Sequence, residues 1–159
     1  MQATGWAVGV GGTVIRWNGI QWSNVTSPTV LNLNSVFFVD AQDGWAVGQN
    51  GTIIQWNGTV WNAVPGPTNA DLNSVCMVNA DDGWAVGQVV LNVVSGVQVW
   101  SGTIIHWNGS NWSNVTNGAS NNLFSVAMVN SADGWAAGSG GTMIHWNGTA
   151  WNAFPIGDP

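Results

Sequence analysis

The sequence predicts an all-β fold, a β-propeller of about four four-stranded blades, and three observations carry that expectation. The segment Gly-Trp-Ala-Val-Gly begins at Gly5, Gly44 and Gly83, and Gly-Trp-Ala-Ala-Gly begins at Gly134. Each copy is followed by Gly-Thr, two hydrophobic residues, one variable residue, Trp-Asn-Gly and a further Trp, and most copies recur after 39 residues. Repeats of about 40 residues built from short β runs are the signature of propeller blades. Trp, β-branched residues and Gly dominate each repeat, with no 3.6-residue apolar stripe that would support a helix.

The second repeat shows the elements in order: strand A from Leu33 to Ala41, B from Gly44 to Gly48, C from Thr52 to Trp56 and D from Thr59 to Val64. Asn50-Gly51 and Asn57-Gly58 are read as two-residue turns, because Asn-Gly tolerates the positive φ angles of a type I′ hairpin. Those turns place Trp45 opposite Trp56, Val47 opposite Ile54 and Ile54 opposite Trp61, so one face of every blade would carry three Trp and two aliphatic side chains. Ala46, Gly48, Ile53 and Val60 would form the other, smaller face. The blades are expected at 1–30, 31–70, 71–120 and 121–159 of a single domain. The first repeat opens on strand B at Gly5 and has no A, leaving fifteen strands where four blades need sixteen. An open sheet edge of that kind invites pairing.

Twelve extra residues at 89–100 interrupt the third repeat. With Ser95-Gly96 as a turn, Val94 faces Val97, Leu91 faces Trp100, and the ladder continues to Gly87 opposite Ile104. The insertion would lengthen strands B and C into a finger of about 20 Å at ~3.3 Å per residue. Val90, Leu91, Val93, Val94, Val97, Val99 and Trp100 make it apolar on both faces. A two-stranded hairpin of that composition is unstable alone in water, so it is expected to be an interaction element.

Composition excludes several functions. Among 159 residues only eight are charged, seven Asp and Arg16, with no Lys, Glu or Tyr. No P-loop, Schiff-base lysine, Ser-Lys dyad or Glu-based acid/base pair can be built from this set. One cation in a chain of net charge −6 opposes nucleic-acid binding, which depends on basic groups releasing counterions. No uninterrupted apolar run reaches the length of a membrane span. Cys76, the sole cysteine, lies among Val75, Met77 and Val78 and reads as an inert thiol. The first repeat begins within five residues of Met1, so the chain is expected to start inside the fold without a leader.

The polar residues of the repeats read as scaffold. Asp43, Asp82 and Asp133 precede the Gly-Trp pair, where Thr4 stands in the first repeat, and an Asp before Gly in a turn ordinarily binds local backbone amides. His106 and His145 share the strand C position of Arg16 and Gln55, without a third ligand in the pattern to hold a metal. No catalytic residue, metal or cofactor is assigned. Seven Asn-x-Ser/Thr sequons occur, of which Asn24, Asn57, Asn108 and Asn147 are the candidate glycosylation sites and point to an exported, extracellular or cell-surface protein. The repeated third Trp, at Trp22, Trp61, Trp112 and Trp151, would stack on sugars if exposed, or form interblade core if buried.

The pattern Asp-Gly-Trp-Ala-Val-Gly followed by Gly-Thr-Ile-Ile-x-Trp-Asn-Gly-x-x-Trp resembles the BNR-type propeller repeats, the group that includes a photosystem II assembly factor and, more distantly, sialidases. The resemblance covers almost the whole chain and implies a propeller. The segment Gln55-Trp56-Asn57-Gly58-Thr59-Val60-Trp61 is similar to the Asp-box, one residue shorter and with Asn replacing Asp. Sialidase chemistry, which uses three Arg and a Tyr nucleophile, has no counterpart here, and the arginine patch of the assembly factor is reduced to Arg16. The leading expectation is a non-enzymatic extracellular structural protein that self-associates into oligomers or filaments through its open blade edges and apolar finger. A carbohydrate-binding propeller lectin and a chaperone-like assembly factor are the alternatives.

Overall fold

The computed structural model describes residues 5–94 and 97–155, with 89–94 and 97–100 described by backbone alone. Blade 1 comprises β1 (Gly5–Val8), β2 (Val14–Trp17) and β3 (Trp22–Asn24). Blade 2 comprises β4 (Leu33–Phe38), β5 (Gly44–Gly48), β6 (Ile53–Trp56) and β7 (Trp61–Ala63). Blade 3 comprises β8 (Leu72–Asn79), β9 (Asp82–Val94), β10 (Val97–Trp107) and β11 (Trp112–Asn114). Blade 4 comprises β12 (Leu123–Asn130), β13 (Asp133–Gly138), β14 (Met143–Trp146) and β15 (Trp151–Ala153). Every sheet is an antiparallel meander, and among the described residues blade 1 has three strands where the others have four. The all-β propeller and its incomplete first blade are as the repeats predict.

The Leu-Asn-Ser-Val segment explains how blades are fastened. Among the first strands of the four-stranded sheets, β8 adjoins both β4 and β12. Leu33, Leu72 and Leu123 are buried in the core. Asn34 Nδ2 donates to Leu72 O at 2.9 Å and Asn73 Nδ2 donates to Leu123 O at 2.8 Å. The next residue continues the tie, because Val75 N donates to Ser35 Oγ and Val126 N to Ser74 Oγ. Satisfying these backbone groups between sheets removes a desolvation cost that each unpaired group would carry.

The registers differ from expectation by one bulge per blade. Trp45 pairs with Gln55, Ala46 with Ile54 and Val47 with Ile53, not Trp45 with Trp56 or Val47 with Ile54. The Asn50-Gly51 turn itself forms, closed by Thr52 N donating to Gln49 O at 3.0 Å, with positive φ at both central residues. Gly48 N also donates to Thr52 O at 2.9 Å, while Gln49 N turns away to Asn32 O at 2.9 Å on the preceding loop. Two residues of strand B therefore oppose one of strand C, and a one-residue slip sends every later side chain to the opposite face. A Cβ on Gly48 would run into Asn32 O, so the same close approach that creates the bulge demands glycine.

The C-to-D connection differs as well. Trp56 pairs with Trp61 across a four-residue turn Asn57 to Val60, so strand D begins at Trp61, not Thr59, and Ile54 faces Ala63 rather than Trp61. Asn57 Oδ1 accepts from Thr59 N, Val60 N and the Thr59 hydroxyl, which makes the Asn the organiser of the turn. This shift of two keeps Trp56, Ile54 and Trp61 on one face, whereas the bulge moves Trp45, Val47 and Ile53 to the other.

Each blade is thus two-faced, and joints form where unlike faces meet. Trp45, Val47 and Ile53 of blade 2 pack on Ala85, Ile105, Trp107 and Trp112 of blade 3. Trp84, Val86 and Ile104 pack on Ala136, Ile144 and Trp151, and Val14 with Trp6 packs on Ala46, Ile54, Trp56 and Trp61. The expectation of three Trp on one face of one blade becomes three Trp across each joint.

The insertion forms the hairpin that the sequence predicts, with Val94 paired to Val97 and Leu91 to Trp100. Lower down, a bulge between Gly102 and Thr103 restores the register of the other blades, so Gly87 faces Thr103 and not Ile104. Its cause is shared with blade 2: Gln88 N donates to Asp71 O at 2.9 Å, as Gln49 N does to Asn32 O. No helix of the described residues is long and apolar enough to cross a membrane.

Candidate interaction site

A polar residue lies across from the first Trp of every blade: Arg16 from Trp6, Gln55 from Trp45, His106 from Trp84 and His145 from Trp135. In three blades it is hydrogen-bonded to the aspartate that precedes Gly-Trp. Gln55 Nε2 donates to Asp43 Oδ1 at 3.0 Å, His106 Nε2 meets Asp82 Oδ1 at 2.9 Å, and His145 Nε2 meets Asp133 Oδ1 at 2.8 Å. Both imidazoles lie over a Trp ring, with centroids 4.3 Å apart. The recurring aspartates therefore bind strand C side chains, whereas the turn amides are bound by residues three positions earlier: Asp40 Oδ1 accepts from Gln42 N and Asp43 N. Asn79 and Asn130 begin the equivalent turns. Among the described residues no three His, Cys, Asp or Glu side chains gather as a metal-binding group.

Blade 1 breaks the pattern. Its position equivalent to those aspartates is Thr4, which lies outside the described residues, and Arg16 takes part in neither ion pair found among the described residues. The guanidinium carbon stands 5.3 Å from the centroid of the Trp6 ring, a cation–π contact, and Nε is buried without a hydrogen-bond partner among the described residues. Trp6 stacks in turn on Phe38 of blade 2, with centroids 5.0 Å apart and planes at 15°. These side chains, with Val36 and Asp40, line a cleft of about 310 Å³ between the first two blades.

The missing inner strand exposes the cleft. In blade 2 the backbone of β5 is flanked by β4 and β6, but β1 pairs only with β2 among the described residues. One residue beyond β1, Gly9 O accepts a backbone hydrogen bond from Leu33 N of the next blade at 3.0 Å. Among the described residues no strand pairs with the N–H and C=O groups on the other side of Gly5–Val8, an arrangement that favours addition of a further strand. The missing A segment was legible in the sequence. The lone cation beside that edge was not singled out, although its equivalence to Gln55, His106 and His145 was visible.

The other sequence-derived candidates are dispersed. Trp61, Trp112 and Trp151 are 4–5% exposed between blades and present no ring face to a sugar, whereas Trp22 is 49% exposed. Asn24, Asn57, Asn108 and Asn147 are exposed, the last three as turn organisers whose Oδ1 accepts backbone N–H bonds. The side chains of Val90, Leu91, Val93, Val94, Val97, Val99 and Trp100 lie outside the described residues. Cys76 is partly buried, packed against the core of the third joint.

The sequence matches no protein-family model and no curated relative. Solved structures are similar. One described as YCF48 bound to D1 peptide superposes with a TM-score of 0.69 at 20% identity, over 99% of this chain and 51% of that one. YCF48 from Cyanidioschyzon merolae gives 0.63 at 17% identity, over 94% and 52%. Likeness at these identities shows the fold, a β-propeller, and the chain spans about half the length of either solved chain. The likeness supports the propeller and not BNR-type repeats specifically.

Proposed function

We propose that the chain is a non-catalytic protein-interaction propeller of the assembly-factor kind, which holds an extended polypeptide segment as the missing inner strand of blade 1. The observation that carries this reading is the β1 edge, unpaired among the described residues, beside Arg16, which has no ion-pair partner among them. Strand addition supplies affinity through main-chain hydrogen bonds, and side-chain pockets supply selectivity. The inner strands of the other blades indicate the orientation. Antiparallel addition, as β12 adds to β13, would set an apolar residue opposite Trp6, as Ala127 is opposite Trp135. The downstream end of the segment would then occupy the place of Asn130, paired to Asp133 in blade 4. Since Asp133 is the group that binds the strand C side chain there, a carboxylate at that end of the segment would meet Arg16. Of the solved neighbours, one is described as bound to a peptide, which supports a protein partner over a glycan.

The probe is a fluorescent synthetic peptide with the sequence of β12, Leu-Phe-Ser-Val-Ala-Met-Val-Asn, carrying either a free carboxylate or an amide at its end. Anisotropy should show binding that is about tenfold tighter for the free carboxylate, the equivalent of ~1.4 kcal/mol. Arg16→Gln should abolish that difference. Absence of binding by either peptide, or binding indifferent to Arg16, would overturn the proposal. Self-association is a second reading, favoured by a separate observation on the outer faces of blades 1 and 4.

A further inference from the structure

The joints between blades repeat one geometry. At the first, Trp6 lies 4.9 Å from Trp56 and 5.6 Å from Trp61, the latter edge-on at 82°. At the second, Trp45 lies 4.8 Å from Trp107 and 5.5 Å from Trp112, at 79° to the latter. At the third, Trp84 lies 4.7 Å from Trp146 and 5.4 Å from Trp151, again at 79°. In each, one blade offers a single Trp and the next offers a pair.

Applying this rule to blades 1 and 4 leaves, among the described residues, one uncovered half on each. Blade 1 carries a pair, Trp17 and Trp22, whose rings stand 5.7 Å apart at 48°. That matches Trp56 and Trp61, at 5.9 Å and 49°, so the pair is already arranged to receive a third ring. Trp22 is 49% exposed where its equivalents are 4–5% exposed. Ile15 and Ala7 on the same face are only partly buried, while Ile54 and Ala46 are fully buried. Blade 4 carries the complementary half. Trp135 is half-buried, Ala137 is exposed and Met143 is half-buried, although their equivalents Trp45, Val47 and Ile53 are core. Phe154 packs its ring edge on Trp135 at 5.0 Å and extends that apolar face.

We infer that blade 4 of one copy seats Trp135 on Trp17 and Trp22 of a second copy, forming a fourth joint of the same kind. The occupant is specified by complementarity: a pair face is covered three times within the chain, each time by a single-Trp face. A contact between unlike surfaces produces a ring if its rotation closes and a filament if it does not. Chain length supports closure with two copies. One copy superposes on about half of a larger solved propeller chain, so two copies span the length of one. The two-copy ring would hold two such joints. The β1 cleft lies on the opposite side of blade 1, between blades 1 and 2, and stays free for a peptide, so this inference stands apart from the proposed function.

The test is the mass of the 159-residue chain by light scattering across a concentration series, with two variants. The parent should approach twice 16.7 kDa as concentration rises. Trp22→Ser removes the pair face and Ala137→Arg obstructs the single-Trp face; each should halve the mass while far-UV circular dichroism stays unchanged. Mixing the two should recover a two-chain particle, since each variant retains the half that the other lacks. A parent that is monomeric at every concentration, folded variants with parental mass, or a mixture that stays monomeric would overturn the joint. A parent larger than two copies would overturn its closure. If Ala137→Arg fails to fold, Trp135→Ser takes its place as the blade 4 variant.

Discussion

Truncating Trp112 should unfold the array far more readily than truncating its repeat equivalent Trp22. Trp112 is 4% exposed, meets Trp45 edge-on at 5.5 Å and lies 5.8 Å from Trp107. Removing a buried indole typically costs ~3–5 kcal/mol in lost transfer and cavity terms, and the ring pairs add to that range. At roughly 2–4 °C per kcal/mol for a chain of this size, Trp112→Ala should lower Tm by roughly 6–20 °C. Trp22 is 49% exposed and has one ring neighbour among the described residues, Trp17, so Trp22→Ala should cost about 1–2 kcal/mol in dilute solution. If a second copy covers Trp22, that cost should grow with protein concentration, because association stabilises only the folded state. Trp112→Phe separates two contributions. The Trp112 Nε1 is buried without a hydrogen-bond partner among the described residues, an arrangement that costs ~1–3 kcal/mol, so the Phe variant should lose less than half of what Ala loses. Urea unfolding followed by circular dichroism, below the concentration of association, measures all three. Equal losses for Trp112→Ala and Trp22→Ala would refute the face assignment.

Gly48→Ala should be strongly destabilising because its Cβ would overlap Asn32 O, while Gly9→Ala, whose surroundings are open, should change stability by no more than ~0.5 kcal/mol; thermal melts compare them. Removing one side of the Asp82–His106 pair should cost about 0.5–1.5 kcal/mol, and a double-mutant cycle with His106→Ala should show the two changes to be non-additive. The hairpin can be cut at its base. Gly102 N donates to Ala119 O at 2.8 Å, as Gly51 N does to Ala70 O, so Gly102 stands where Gly51 stands. Replacing residues 89–101 with one Asn should therefore recreate the Gln-Asn-Gly-Thr turn of blade 2 and leave the circular dichroism spectrum of a folded propeller. Its particle mass, relative to the parent, distinguishes association through the hairpin from association through blades 1 and 4.

The repeats made the blades legible because each strand and turn carries its own local signal: the Gly-Trp-Ala-Val-Gly run, the Asn-Gly turns and the alternating strands. The face assignment was less accessible. It depends on whether Gln49 pairs across its own hairpin or turns to Asn32 O, a choice made by the neighbouring blade and not by local sequence. The same contact at Gln88 shows that the bulge is independent of the turn, since the hairpin replaces that turn in blade 3. Likewise, Asp43 looked like a turn residue because its partner Gln55 is twelve positions away and meets it only after the register is set. The glycan-binding reading of Trp61, Trp112 and Trp151 failed on exposure, which sequence alone could not supply. The bare strand edge was readable by counting strands. That it stands beside a cation without an ion-pair partner among the described residues required the cross-strand pairing of Trp6 with Arg16.

The most direct test of the proposed function is amide hydrogen exchange across Gly5–Val8, read by mass spectrometry with and without the free-carboxylate β12 peptide. Strand addition predicts that exchange in this segment slows on peptide binding, and that the slowing is lost in Arg16→Gln at the same peptide concentration. Bound peptide with unchanged exchange across Gly5–Val8 would contradict it.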